Sequence, residues 1–185
     1  MTWKYTYHQI KTDVWRRADH EGHPRGHLRT AAAIAFSPAG MATIVWRVRS
    51  YIYQKRLRFL AKLLGIVNMI LFTTEIEADA TIGEGFLMLN PNGVMIHGHT
   101  RIGKNCTVAH QVTMTIGPRP GLDPVNDYIT IGDDVTVSAG VRIIGNLAIG
   151  ENVFIAPNTV VAASVPSDHL LAGRRLQPLP KRSAA

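Results

Sequence analysis

The stretch Ile131-Gly132-Asp133-Asp134-Val135-Thr136-Val137-Ser138-Ala139-Gly140-Val141-Arg142-Ile143-Ile144-Gly145-Asn146-Leu147-Ala148-Ile149 decides the fold. Its aliphatic residues stand six apart, at Ile131, Val137, Ile143 and Ile149, with a second slot four residues after each start at Val135, Val141 and Leu147. An α-helix needs an apolar period of about 3.6 and a plain strand a period of 2. A sustained period of six belongs to neither. It marks a parallel β-helix built from hexapeptides, each unit forming one side of a coil.

The same beat runs in both directions, through Ile76, Ile82, Met88, Ile96, Ile102 and Val108 before it and Ile155 and Val161 after it. Ile-Gly pairs mark the coil length. Ile131 and Ile149 are 18 residues apart, which is one three-sided coil. Ile82 and Ile102 are 20 apart, so two residues are inserted, at Asn90-Pro91-Asn92-Gly93. Ile102 and Ile131 are 29 apart, and the surplus falls in 115–130, rich in Gly, Pro, Asp and Asn as a projecting loop should be. The reading is a β-helix of about five coils over 74–166, followed by a tail over 167–185.

Residues 1–73 have another character. They hold twelve Lys or Arg and three Asp or Glu, whereas 74–185 hold eight and ten. The net charge of +7 therefore belongs to the first segment. Residues 3–20 read as a polar helix dotted with aromatics, and 20–29, with Gly22, Pro24 and Gly26, as a loop. Ser37-Pro38 supplies an N-cap and a proline at the first helical position, and apolar residues at helical spacing continue to Phe72. Met1 to Lys11 lack the apolar run of a signal peptide, which points to a cytoplasmic protein. The apolar run Leu63–Phe72 is shorter than the roughly 20 residues that span a bilayer. Two readings of 43–72 stand: a basic amphipathic helix lying on a membrane, or a helix packed on the next domain or a sister subunit with its basic face to water. No aromatic-basic pattern or motif suggests nucleic acid. With 46% hydrophobic and 18% charged residues, disorder is excluded.

The repeat and its details resemble the left-handed β-helix of the hexapeptide acyltransferases. The stretches Ile82-Gly83-Glu84-Gly85, Asn90 to His97, Ile102 to Cys106, His110-Gln111-Val112-Thr113, Ser138 to Gly145 and Ala172-Gly173-Arg174-Arg175 are similar to the serine acetyltransferase branch. The resemblance implies an all-β left-handed parallel β-helix behind a short α-helical segment, assembled as a homotrimer or a dimer of trimers. It also implies acetyl transfer from acetyl-CoA to a small hydroxyl-bearing acceptor, with no metal. Serine and a sugar or exopolysaccharide hydroxyl are rival acceptors, and a relative that binds CoA or a partner without turnover is a third reading.

In such enzymes a histidine general base, worth roughly 10²–10⁴ in rate, takes the hydroxyl proton. The resemblance puts that base at Asn90, a second histidine at Tyr128 and a supporting carboxylate at Glu75. Asparagine has no titratable group, and a phenol ordinarily titrates around 10, so neither replaces a histidine. His110 follows Val108 as Asn90 follows Met88, on the same side one coil on, at a strand spacing of about 4.8 Å. It is either the base or a hydrogen-bonding side chain at a subunit contact. The resemblance assigns the acetyl-CoA arm to a groove lined by Ser138, Ala139, Gly140, Gly145 and Ala156, and the phosphates to Arg174 and Arg175. His97 and His99 have the spacing of a metal pair without an evident third ligand. Cys106 reads as a small core residue, and Asn105-Cys106-Thr107 as a chance glycosylation sequon.

Overall fold

A computed structural model of the chain describes residues 2–23, 28–117, 123 and 127–179. Four helices come first: α1 (Trp3–His20), α2 (Leu28–Ala35), α3 (Pro38–Gln54) and α4 (Arg58–Phe72). The Thr2 side chain accepts from the Tyr5 N–H to start α1, and Ser37 accepts from the Gly40 N–H to start α3 behind Pro38. None of the described helices is long and apolar enough to cross a membrane.

The single helix expected from Pro38 to Phe72 is two. The break at 55–57 contains neither glycine nor proline; Arg56 takes a left-handed conformation (φ +63°), so α4 folds back along α3. The packed side of α4 is its small one. Ala61 and Asn68 are buried, the Asn68 amide donates to the Ala42 carbonyl, and Gly65 lies against the Arg49 guanidinium, where a Cβ would come within 2.7 Å. The expected loop over 20–29 is described only in part; Leu28 and Arg29 already belong to α2.

The β-helix then climbs by coils. The first is β1 (Glu75–Ile76), β2 (Thr81–Ile82) and β3 (Leu87–Met88). The second is β4 (Met95–Ile96), β5 (Thr100–Ile102) and β6 (Thr107–Val108). The third is β7 (Thr113–Thr115), β8 (Ile129–Ile131) and β9 (Thr136–Val137). The fourth is β10 (Arg142–Ile144), β11 (Leu147–Ile149) and β12 (Phe154–Ile155). The fifth opens with β13 (Val160–Val161) and closes with β14 (His169–Ala172). Like strands stack in parallel into three sides, β1-β4-β7-β10-β13, β2-β5-β8-β11 and β3-β6-β9-β12-β14. The six-residue beat becomes three buried columns: Ile76, Ile96, Met114, Ile143 and Val161; Ile82, Ile102, Ile131 and Ile149; Met88, Val108, Val137 and Ile155.

Two corners of each coil turn through a left-handed residue. Gly85, Asn105, Asp134 and Asn152 serve between the second and third sides; Gly93, Gln111, Gly140 and Asn158 serve between the third and first. Glycine, asparagine and aspartate tolerate that conformation, so the corners select them. Gly140 is doubly constrained, since a Cβ there would fall 2.1 Å from the Asn158 side-chain oxygen.

Within the stretch expected as a C-terminal tail, residues 169–178 extend the stack. β14 pairs with β12, and β15 (Arg175–Pro178) returns antiparallel through the Gly173-Arg174 turn. Half of the loop expected over 115–130 lies outside the described residues; β7 and β8 bracket it.

The basic residues of the helical segment do not simply face water. Arg47 is fully buried and paired with buried Asp13, Nε to Oδ2 at 2.9 Å, while its other nitrogens donate to the Ile82 and Gly83 carbonyls at 2.7 and 2.6 Å. Arg16 donates to the Gly85 and Cys106 carbonyls at 2.5 and 2.7 Å. Arg17 donates to the Met88 carbonyl, Arg49 to Ile76 and the Trp46 indole to Glu77. These cations satisfy carbonyls of the first two coils, fastening the helices to the β-helix.

Candidate active site

The pairing of Met88 with Val108 carries Asn90 and His110, each two residues further on, to the same corner of consecutive coils. Both side chains are exposed there. The two-residue insertion does not disturb this register, because it is taken up past Asn90. The first two coils stack at an offset of 20 residues up to Met88, and β4 stacks on β7 of the third coil at an offset of 18.

Asn90 is partly committed to its own turn. Its side-chain oxygen accepts the Asn92 N–H at 3.0 Å, an Asx turn that shapes 90–93. His110 is followed by Gln111 at φ +56°, which carries a full side chain where most equivalent corners hold glycine or asparagine. Such a conformation costs of order 1–3 kcal/mol for a residue of this type. It is kept here beside the histidine, where the Gln111 N–H donates to the Asn92 carbonyl and its side chain lies under Gly93.

Glu75 lies on β1, exposed, one coil before Met95. Its strand is joined to the 90–93 turn by the Gly93 N–H donating to the Thr73 carbonyl and the Thr74 hydroxyl donating to that of Pro91.

The small residues assigned to the arm groove continue the Asn90–His110 corner. The Gly140 N–H donates to the His110 carbonyl, the Ser138 N–H to Ile155, and the Ala156 N–H to Leu171. Ala109, Ser138, Ala156 and Ala172 thus form one column of small side chains beside the histidine. Gly145 is elsewhere: it follows β10 at the corner between the first and second sides, with its N–H on the Thr115 carbonyl. Arg174 and Arg175 are exposed on the terminal hairpin.

Tyr128 also lies at the corner between the first and second sides, so a single chain does not bring it to Asn90. Its ring stacks on His99 at 5.3 Å between centroids, and the Arg101 guanidinium sits 3.7 Å over it. The His97 ring is 5.4 Å from that of His99, and Glu77 lies 3.8 Å from His97 Nε2. His99 Nδ1 is 3.3 Å from the Asp127 carbonyl, whose carboxylate accepts from Asn146. This stack was missed as a unit in the sequence, although its signal is present. Thr100 pairs with Ile129, so the same offset of 29 residues sets His99 against Tyr128. Among the described residues no group of three His, Cys, Asp or Glu converges to hold a metal.

Two groups are set aside by their electrostatics. Burial pushes the Cys106 thiol up to about 11, so it carries no thiolate near neutrality. The Lys104 ammonium, 2.9 Å from Glu84 and hydrogen-bonded to it, holds that carboxylate below its ordinary value at an exposed corner.

Residues 128–163 match the family model described as Bacterial transferase hexapeptide (six repeats). Serine acetyltransferase of Synechococcus elongatus is 33% identical over 137 residues, covering 74% of this chain and 54% of that protein. The one from Staphylococcus xylosus is 33% identical over 147 residues, covering 78% and 66%. The chain thus spans between half and two thirds of the length of these relatives. Among solved structures, serine acetyltransferase of Neisseria gonorrhoeae superposes on the whole chain and 70% of its own, with a TM-score of 0.83 at 20% identity. The soybean apoenzyme covers 93% and 69%, with a TM-score of 0.79 at 27% identity. With this strand pairing, these likenesses establish the left-handed parallel β-helix, and the chain belongs to the hexapeptide-repeat acyltransferases, on the serine acetyltransferase-like branch.

Proposed function

We propose that this protein transfers an acetyl group from acetyl-CoA to the hydroxyl of a small acceptor, with His110 as general base. The observation that carries the reading is the shared corner: His110 stands beside Asn90, and the small-residue column through Ser138 and Ala156 begins next to it. His110 takes the hydroxyl proton as the acceptor oxygen bonds to the thioester carbon. The carbon–sulfur bond then breaks, and the proton passes to the departing CoA thiolate. Asn90 orients the acceptor, and backbone flanked by small side chains lets the pantetheine arm approach. Arg174 and Arg175 pair with its phosphates.

The site is completed by a neighbour in a homotrimer. Tyr128 and Gly145 share one corner of the chain while Asn90 and His110 share another, so only adjoining copies can bring them together. Met95, Ile144 and Val160 stand exposed on the first side, the kind of apolar surface a subunit contact covers. Serine is the acceptor most directly supported, since the relatives carry that name; a sugar hydroxyl is the rival.

The test is thiol release from acetyl-CoA with serine, homoserine and a panel of sugars. His110→Ala should lower kcat/KM by roughly 10²–10⁴; unchanged turnover removes His110 from the mechanism. Asn90→His should raise turnover if the acceptor pocket is otherwise intact.

A second reading has its own observation. The Asn90 side chain is bound into its turn, as a structural residue would be. A CoA-binding protein without transferase activity would gain thermal stability from CoA and release no thiol with any acceptor.

A further inference from the structure

Helix α4 is turned inside out. It lays Ala61, Gly65 and Asn68 against α3 and points its large apolar residues away, with Phe59 79%, Ile70 70% and Leu71 64% exposed, and Leu63 and Val67 on the same arc. A water-facing helix ordinarily shows the opposite arrangement, and an exposed apolar face of this extent marks a contact surface.

The charge around that face says what covers it. Lys55, Arg56, Arg58 and Lys62 are exposed at the start of α4 and in the turn before it. No acidic residue occurs between Glu21 and Glu75 in the sequence, and among the described residues neither Arg58 nor Lys62 has an acidic partner. A second copy of α3 and α4 laid against this face would bring cations and no carboxylate to meet them. An anionic bilayer answers both features, taking the apolar arc into the acyl boundary and the cations at its phosphates. We infer that the outer face of α4 docks the protein on an anionic phospholipid surface. The inference stands apart from the acyl-transfer reading.

The test is co-sedimentation of the full chain with vesicles of phosphatidylcholine alone and of phosphatidylcholine with 30 mol% phosphatidylglycerol, the composition being roughly that of an anionic surface. Binding is expected to the anionic vesicles, weakening as salt is raised. Arg58→Ala with Lys62→Ala should weaken it about 30-fold, from about fivefold per cation. Ile70→Ser with Leu71→Ser, both at exposed positions, should weaken it by about 100-fold while leaving the thermal transition in place. Absence of binding to anionic vesicles at low salt would overturn the inference. So would equal binding to neutral vesicles, or a fall in solution mass of the Ile70→Ser, Leu71→Ser variant without vesicle binding by the parent chain, which would give the face to another copy.

Discussion

The helical segment and the β-helix are held together by opposite means. The β-helix is stacked from aliphatic columns, with ladder hydrogen bonds satisfying its main chain between coils. Its first coil nevertheless leaves carbonyls at Ile82, Gly83, Gly85 and Met88, and the helical segment answers these with arginine. The basic surplus of residues 1–73 is therefore divided. Arg16, Arg17, Arg47 and Arg49 are structural, while the cations beside α4 are left for a surface. Charge counted along the sequence does not distinguish these two uses.

The comparison breaks most readily at Asp13. Its carboxylate accepts from Arg47 and from the Phe86 N–H, so it links α1, α3 and the first coil. Removing one member of a buried pair leaves an uncompensated charge and costs about 3–5 kcal/mol. Asp13→Ala should lower Tm by about 10 °C, as about 2–4 °C per kcal/mol is usual for a chain of this size. A loss under 1 kcal/mol would mean that the carbonyls alone hold Arg47. Burial pushes the Asp13 carboxyl up from 3.8 to about 6, against the lowering effect of Arg47. The folded state therefore binds this proton more readily than the unfolded one, so this group's contribution to stability falls as pH rises from about 4 to about 6. Asp13→Asn should remove that slope from the pH dependence of urea unfolding.

The contrasting cut is in the stack. Ile143 is fully buried between Met114 and Val161, and Ile143→Ala should cost about 3 kcal/mol, read as a shift of the urea midpoint. The loss should be felt in neighbouring coils before the helices, because a repeat protein couples chiefly nearest neighbours. Hydrogen exchange would register it as opening of β7, β10 and β13 with α1 still protected. Equal opening of α1 would mean that both regions form one cooperative unit.

The β-helix was legible because its period is enforced by packing: the strand columns are filled by Ile, Val and Met six residues apart, and Ile-Gly spacings of 18, 20 and 29 give the coil offsets observed. The neighbourhood of Asn90 and His110 followed from the same arithmetic. The break between α3 and α4 was not legible, since Arg56 adopts its left-handed conformation without a glycine to announce it. Nor was the packed face of α4, where apolar residues occur at nearly every angle and the choice falls to the small residues that let α3 approach. The arginine contacts with carbonyls join residues 27 to 90 positions apart and leave no periodic trace. The terminal hairpin was masked by reading Gly173-Arg174 as part of a family ending, although Gly173 at φ +60° is also a turn signal.

The finest distinction lies within the β-helix, at Gln111. The equivalent corner residues Gly93, Gly140 and Asn158 adopt the left-handed conformation at lower cost, whereas Gln111 adopts it beside the candidate base. Gln111→Gly relieves a penalty of about 1–2 kcal/mol. It also loses about 0.5–1 kcal/mol through the greater freedom of glycine in the unfolded chain. The net expectation is a gain of about 0.5–1 kcal/mol, a rise of roughly 2 °C in Tm. Gln111→Asn, which keeps a side chain, should gain a similar amount. If both variants are instead destabilised, the contact of the Gln111 side chain beneath Gly93 outweighs the backbone penalty, and the corner is held by packing. If both are stabilised and acetyl transfer falls, the strained turn serves to hold His110 toward the acceptor, because relieving the strain then relaxes the corner of the stack where His110 stands next to Asn90.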